Sequence, residues 1–257
     1  AEQVKQTVAA VHFNGTQGIA YQACLWSRLA NRVLLPLARF GLNSADDLYS
    51  HCIDIPWEEH LSSSDSVMVD FIGTSRLIDH TTFGAQRVKD AIVDRIRSVE
   101  GERPNVDLQN PDLRFQARLH KGVVTLALDL SGESLHRRGY RREQSRASIK
   151  ENLAAALLLR SGWPELAQQG AALLDPLCGD ATLLIEGAMM AANIAPGTLR
   201  TGHHYGFLAW KQHDPDAWKR LNSEAQQRRD RGLNALRLDI CGYEGNPHIV
   251  QQAIQNV

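Results

Sequence analysis

The spacing of hydrophobic and polar positions changes several times along the chain, and each change marks an element. Residues 7 to 14 alternate, which predicts a strand. From Gln17 to Val33 the apolar residues Ile19, Ala23, Trp26, Leu29, Ala30 and Val33 recur at helical spacing, and the following run LLPLARF predicts a second strand. Asn43-Ser44 is a capping signal for a short acidic helix. Ser66 to Ile72 reads as a strand, and Phe83 to Val99 as an amphipathic helix with Phe83, Val88, Ile92, Val93 and Ile96 inward. Leu113 to Leu119 and Val123 to Leu130 form a predicted hairpin around His120-Lys121-Gly122. The front half is therefore an α+β arrangement without repeats.

The pattern changes after a linker at Ser131-Gly132. The stretch HRRGYRREQSRAS sets Arg137, Arg138, Arg141, Arg142 and Arg146 around one tyrosine, opposed by Glu143. A helix follows from about Ser148 to Arg160 with Leu153, Ala156, Leu157 and Leu158 predicted inward. Ala171 to Leu177 is then a short apolar strand, CGD a turn, and Thr182 to Ala192 a helix. That order opens a parallel, doubly wound α/β domain. Leu236 to Tyr243 repeats the theme, a strand leading to an acid and then a helix.

Composition narrows the classes. The 257 residues are 43% hydrophobic and 22% charged, and no apolar stretch is long enough to cross a bilayer as a helix. AEQVKQTVAAVHF has neither the basic leader nor the apolar core of a signal peptide. Cys24, Cys52, Cys178 and Cys241 are far apart, as expected of reduced cytosolic thiols, and the ten histidines, His203-His204 included, show no metal-ligand spacing. A net charge of -1 argues against strong nonspecific nucleic-acid binding. The arginine cluster is the exception, either a solvated linker or an RNA contact.

The string LLDPLCGDATLLIEGAMMA carries the most chemistry. It puts Asp175 at the carboxyl end of a strand and Gly179 in the turn, where a side chain would block a ligand approaching the backbone. Taken alone, Asp175 is as well explained as a helix cap. D-P-L-C-G-x-x-T-L-L-I-E as a whole resembles the first motif of the THUMP-domain methyltransferases that modify the exocyclic amine of guanine in RNA. The resemblance implies that Asp175, Pro176, Cys178, Gly179, Thr182 and Glu186 surround the methionine part of S-adenosylmethionine, with Glu186 alternatively an ordinary helix residue. It also implies that Glu244, at the second strand, takes the ribose hydroxyls. Where the family has a small residue and then glycine, this sequence has Asp180-Ala181, which either weakens the cofactor site or caps the helix. A dinucleotide dehydrogenase would need a G-x-G-x-x-G turn, and only Gly179 is present.

The long segment between the two motifs, with Phe207, Trp210, His213 and Trp218, resembles the insertion of the bacterial K/L family of large-subunit ribosomal RNA guanine methyltransferases. DLYSHCIDIPWEEHL, FGAQRVKDAIVDRIR and the run from Arg103 to Arg141 resemble its THUMP region. The implied fold is an α+β ferredoxin-like and THUMP front half followed by the truncated start of an α/β, Rossmann-like class I methyltransferase domain. The implied divisions are 1–42, partial ferredoxin-like; 43–136, THUMP; and 147–257, the front of the catalytic domain. The implied partner is 23S ribosomal RNA in the cytoplasm, faced by Arg87, Lys89, Arg137, Arg138, Arg141 and Arg142. On the polar side of their helix, Arg87 and Lys89 stand with Arg95 and Arg97, and a soluble face explains them equally. The family's N-P-P-Y motif does not occur in these residues, so the chain is expected to be an inactive fragment of an enzyme. The alternative is an RNA-binding THUMP protein with a decayed, non-catalytic methyltransferase domain.

Overall fold

The computed structural model describes residues 1–142, 148–200, 205–237 and 239–257. The chain divides into two compact units. One comprises Val33–Gly132 and His204–His213; the other comprises Ala1–Arg32, Glu133–His203 and Asp214–Val257.

The chain opens with β1 (Glu2–Gln6) and β2 (Val11–Asn14), an antiparallel pair, then α1 (Gln17–Trp26). The strand expected over 7 to 14 is thus shortened to Val11–Asn14, because Thr7 turns the chain by donating from its backbone N–H and its hydroxyl to the Ala10 carbonyl. The first helix stops at Trp26 rather than reaching Val33, since the Ser27 hydroxyl accepts the Ala30 N–H and offers the backbone a turn instead.

In the first unit, β3 (Leu34–Gly41), α2 (Asp47–Ile53), β4 (Ser66–Ile72), α3 (Thr81–Glu100), β5 (Asn105–Val106), β6 (Leu113–His120) and β7 (Val123–Asp129) build a five-stranded mixed sheet ordered β3-β7-β6-β4-β5. Strand β3 pairs antiparallel with β7 along its length, so the boundary expected at residue 42 falls at the end of a strand committed to this sheet. Alternation drives the packing. Val67, Val69 and Phe71 of β4, with Leu113, Phe115, Ala117 and Leu119 of β6, are buried on one face. The β6–β7 turn needs positive φ at Lys121 (50°) and Gly122 (75°), the twist that suits a two-residue hairpin. On α3, Val88, Ile92, Val93 and Ile96 point inward as expected, but Phe83 is exposed. Gly84 takes the inward place instead, where a Cβ would come within 2.7–2.8 Å of the Phe71 ring.

The second unit continues with α4 (Glu151–Arg160), α5 (Trp163–Gln168), β8 (Leu173–Asp175), α6 (Thr182–Ala191), α7 (Pro215–Ala235), β9 (Ile240–Gly242) and α8 (Pro247–Asn256). Strands β8 and β9 are parallel neighbours, with α6 between them in sequence. Leu158, Trp163 and Ala167 form a core with Leu173, Leu183 and Ile240 packed against it. The inward face of α4 differs from expectation: Ala154, Ala155 and Leu158 are buried, Ala156 is half-buried, and Leu153 and Leu157 are exposed. A second core joins Leu25 of α1 to Ala195 and Ala225, flanked by Trp26, Trp218 and Leu221.

Candidate functional site

The parallel register Leu173↔Ile240, Leu174↔Cys241 and Asp175↔Gly242 brings two strand ends to one edge. Backbone bonds then lock the turns together: the Tyr243 N–H donates to the Asp175 carbonyl and the Cys178 N–H to the Tyr243 carbonyl, each at 2.9 Å. The Asp175 carboxylate accepts the Leu177 N–H at 3.1 Å, fixing its own turn. The Glu244 carboxylate accepts the Asn246 N–H at 2.8 Å, and the Asn246 side chain caps α8 through the His248 N–H.

A cavity of about 360 Å³ lies at this edge, lined by Cys178, Ala181, Leu184, Gly242, Glu244 and residues of α8. Among its lining residues Glu244 brings one side-chain carboxylate to an otherwise apolar wall. Gly179 has φ 55°, and open space lies where its Cβ would be. Gly242 is required by contact instead, since a Cβ there would stand 2.5 Å from Leu184 and 2.8 Å from the Cys178 sulfur. Burial, with Asp175 adding to it, pushes the Cys178 thiol up and keeps it neutral.

Of the seven residues expected at the cofactor, Cys178 and Glu244 line the cavity, while Asp175, Pro176 and Gly179 form the turn beside it. Thr182 is not among the lining residues: it is buried, its hydroxyl donating to Asp180 at 2.6 Å and accepting from Arg141 at 2.6 Å. Glu186 is not among them either. It is fully buried against Arg138, whose Nε lies 3.2 Å from it, and the Tyr140 hydroxyl lies 3.5 Å away. Burial holds its carboxyl above the usual range, with Arg138 and Arg28 opposing.

Asp180 is turned inward as well. Its carboxylate accepts from the Ser148 hydroxyl at 2.5 Å and from Thr182, and the Arg141 Nε is 3.2 Å away. Its neighbour Ala181 does line the cavity and sits at φ 65°, the left-handed region where glycine is at home. Sequence spacing had a usable signal for the α8 wall, because Val250, Ala253, Ile254 and Val257 recur at i, i+3, i+4 and i+7. Nothing local announced Arg141 as the partner of the turn.

The expected RNA-facing arginines divide sharply. Arg138 is 1% exposed and spends its guanidinium on Glu186 and the carbonyls of Leu135 and Arg28. Arg141 is held by Ile149, Thr182, Asp180 and Glu151. Arg137 is exposed but paired with Glu133, and Arg142 is exposed. On α3, Arg87 pairs with Asp46 at 3.3 Å and lies over the Tyr49 ring, and Lys89 pairs with Asp90. Arg146, Glu143 and the His203-His204 pair lie outside the described residues.

The segment with Phe207 and Trp210 completes the sheet unit. Phe207 is fully buried and stacks on Tyr205, with ring centroids 5.0 Å apart. Trp210 donates from Nε1 to the His60 Nδ1 at 3.0 Å, and burial pushes the His60 imidazole down. Gly206 is obligatory, because a Cβ there would lie 2.2 Å from the Asp129 carbonyl oxygen.

Family relationships agree with this layout. Residues 1–34 match the RlmL ferredoxin-like domain, 43–129 the THUMP domain, and 138–257 the RMKL-like methyltransferase domain. The chain thus carries matches to a ferredoxin-like, a THUMP and an RMKL-like methyltransferase domain in that order, a ferredoxin-like and THUMP front followed by a methyltransferase fold. Over its whole length it is 52% identical to the ribosomal RNA large subunit methyltransferase K/L of Cellvibrio japonicus and 50% identical to that of Ectopseudomonas mendocina. It spans 34% and 35% of those proteins, about a third of their length. Among solved structures, SMU.472 complexed with SAH superposes with a TM-score of 0.80 at 29% identity, covering 96% of this chain and 63% of that one. A predicted N6-adenine-specific DNA methylase from Listeria monocytogenes gives the same TM-score and identity, over 96% and 62%. Among the described residues no helix is long and apolar enough to cross a membrane.

Proposed function

We propose that these residues are the front third of a cytoplasmic enzyme that uses S-adenosylmethionine to methylate the exocyclic amine of a guanine in 23S ribosomal RNA. The observation that carries this reading is the pair of parallel strand ends, Asp175 and Gly242, with Glu244 just beyond, beside a cavity with one side-chain carboxylate and an apolar wall. Those are the features an open α/β sheet uses to take a nucleoside. Glu244 accepts the ribose hydroxyls, and the Asp175-to-Gly179 turn leaves the backbone open toward the sulfonium end. The bound cofactor supplies an electrophilic methyl group; the protein's part is to hold it and keep water away. The K/L relatives support ribosomal RNA as the substrate, and the THUMP unit is the RNA-binding part.

A decayed site is disfavoured by geometry. Asp180, the departure that suggested it, is occupied by Ser148 and Thr182 and is not part of the cavity lining. The 257 residues contain no N-P-P-Y motif, and we propose that by themselves they do not transfer a methyl group. Calorimetric titration of the longer protein with S-adenosylmethionine tests the reading. Glu244→Gln is expected to weaken binding roughly 10- to 100-fold, the worth of a charged hydrogen bond, and Asp175→Ala to weaken it through the loosened turn. No binding by the unmodified protein would leave an RNA-binding protein without a working cofactor site.

A further inference from the structure

We infer that RNA is held on the open face of the five-stranded sheet, by Arg39 and Arg118, and not on α3 or through Arg137, Arg138 and Arg141. The inference rests on the reading that this unit binds RNA and adds where.

Register defines the face. Arg39 of β3 lies opposite Thr125 of β7, and Thr125 lies opposite Arg118 of β6, so the three form one row across adjacent strands. Along β6, Arg114, Gln116 and Arg118 alternate with the buried Leu113, Phe115, Ala117 and Leu119, which puts the row on the side away from the core. Strand spacing sets Arg39 and Arg118 about 10 Å apart, and Arg114 sits about 13 Å along the strand from Arg118. Lys121, in the hairpin turn at the same end of the sheet, is exposed and adds a third cation.

Charge pairing separates this face from the alternatives. Each cation of α3 already has a carboxylate: Arg87 has Asp46, Lys89 has Asp90, Arg95 has Glu58, and Arg97 has Asp94. A phosphate approaching them must displace an internal anion, which cancels most of the gain from releasing counterions. Arg137, Arg138 and Arg141 are committed in the same way. Arg39 and Arg118 are exposed and have no ion-pair partner among the described residues, and the acid of the sheet face, Asp70, is taken by Arg114 at 3.2 Å. An exposed row of uncompensated guanidiniums fits a phosphate backbone, which Arg engages bidentately.

The test is filter binding of a 23S ribosomal RNA transcript to the full chain between 50 and 200 mM salt. Arg39→Gln/Arg118→Gln is expected to lower affinity about tenfold or more and to reduce the slope of log affinity against log salt by roughly two, one per lost phosphate contact. Arg87→Gln and Arg137→Gln are expected to change neither. Unchanged affinity and slope in the sheet variant, or a larger loss in Arg87→Gln, overturns the placement while leaving RNA binding standing. No binding by the unmodified protein overturns the RNA reading itself, and the placement with it. Matching thermal unfolding curves for all variants exclude misfolding as the cause.

Discussion

Arg138 and Glu186 give the sharpest test of the assignments, because the sequence suggests ligand contacts for both and the structure buries them against each other. Their side chains are 1% and 0% exposed, and Arg28 stands nearby with its own guanidinium lowered to about 10 by burial. Removing one member of such a pair strands a charge in a dry environment, at a cost of about 3–5 kcal/mol. Glu186→Leu is expected at the upper end, since it leaves Arg138 and Arg28 both uncompensated. Arg138→Met is expected near the lower end, because Arg28 still opposes the carboxylate. The double variant is expected to recover much of the loss, as an apolar pair of similar volume often matches a buried ion pair. The raised Glu186 carboxyl points the same way, since its burial outweighs the two guanidiniums. Urea denaturation at pH 7.5, comparing the two singles with the double, measures the coupling. Single variants within 1 kcal/mol of the parent, or an Arg138→Met protein of unchanged stability that loses RNA affinity, would refute the reasoning.

Two further outcomes follow from the same geometry. Ala181→Gly relieves a left-handed backbone that costs alanine about 1–2 kcal/mol, less the extra freedom glycine has when unfolded. A gain of about 0.5–1 kcal/mol, or roughly 1–4 °C in Tm, is expected in thermal unfolding; a lower Tm would show that the turn is not strained. For His60, burial lowers the folded pKa below the unfolded value of about 6.5, so its stabilising contribution is complete above that pH and is lost as pH falls through the lowered folded value. Urea midpoints measured from pH 8 to 5.5 are expected to fall less steeply for His60→Gln than for the parent, and equal slopes would remove His60 as the source.

Local pattern carried the parts that depend on neighbours in sequence. Strand β4 appears where Ser66 to Ile72 alternates, the β6–β7 hairpin forms around Lys121-Gly122, and the strand-turn-helix at Asp175 is as expected. Pattern failed where a partner is remote. Arg138 meets Glu186 across 48 positions, and Arg141 meets Thr182 across 41, so two arginines of a basic cluster that looks like a ligand surface are internal wiring. The inward face of α4 went wrong for a related reason: leucines and alanines are both apolar, and only the packed neighbours decide that Ala154 and Ala155 go in while Leu153 and Leu157 stay out. The two-residue β5 is too short to leave a periodic signal.

The late insertion of Phe207 and Trp210 into the sheet unit also orders events at the ribosome. The last strand of that sheet ends at Asp129, yet its buried aromatic closure arrives about 80 residues later. At about 5–20 residues per second of synthesis, the nascent sheet waits several seconds with the seat for Phe207 and Trp210 uncovered, an interval in which chaperone holding has the most to protect.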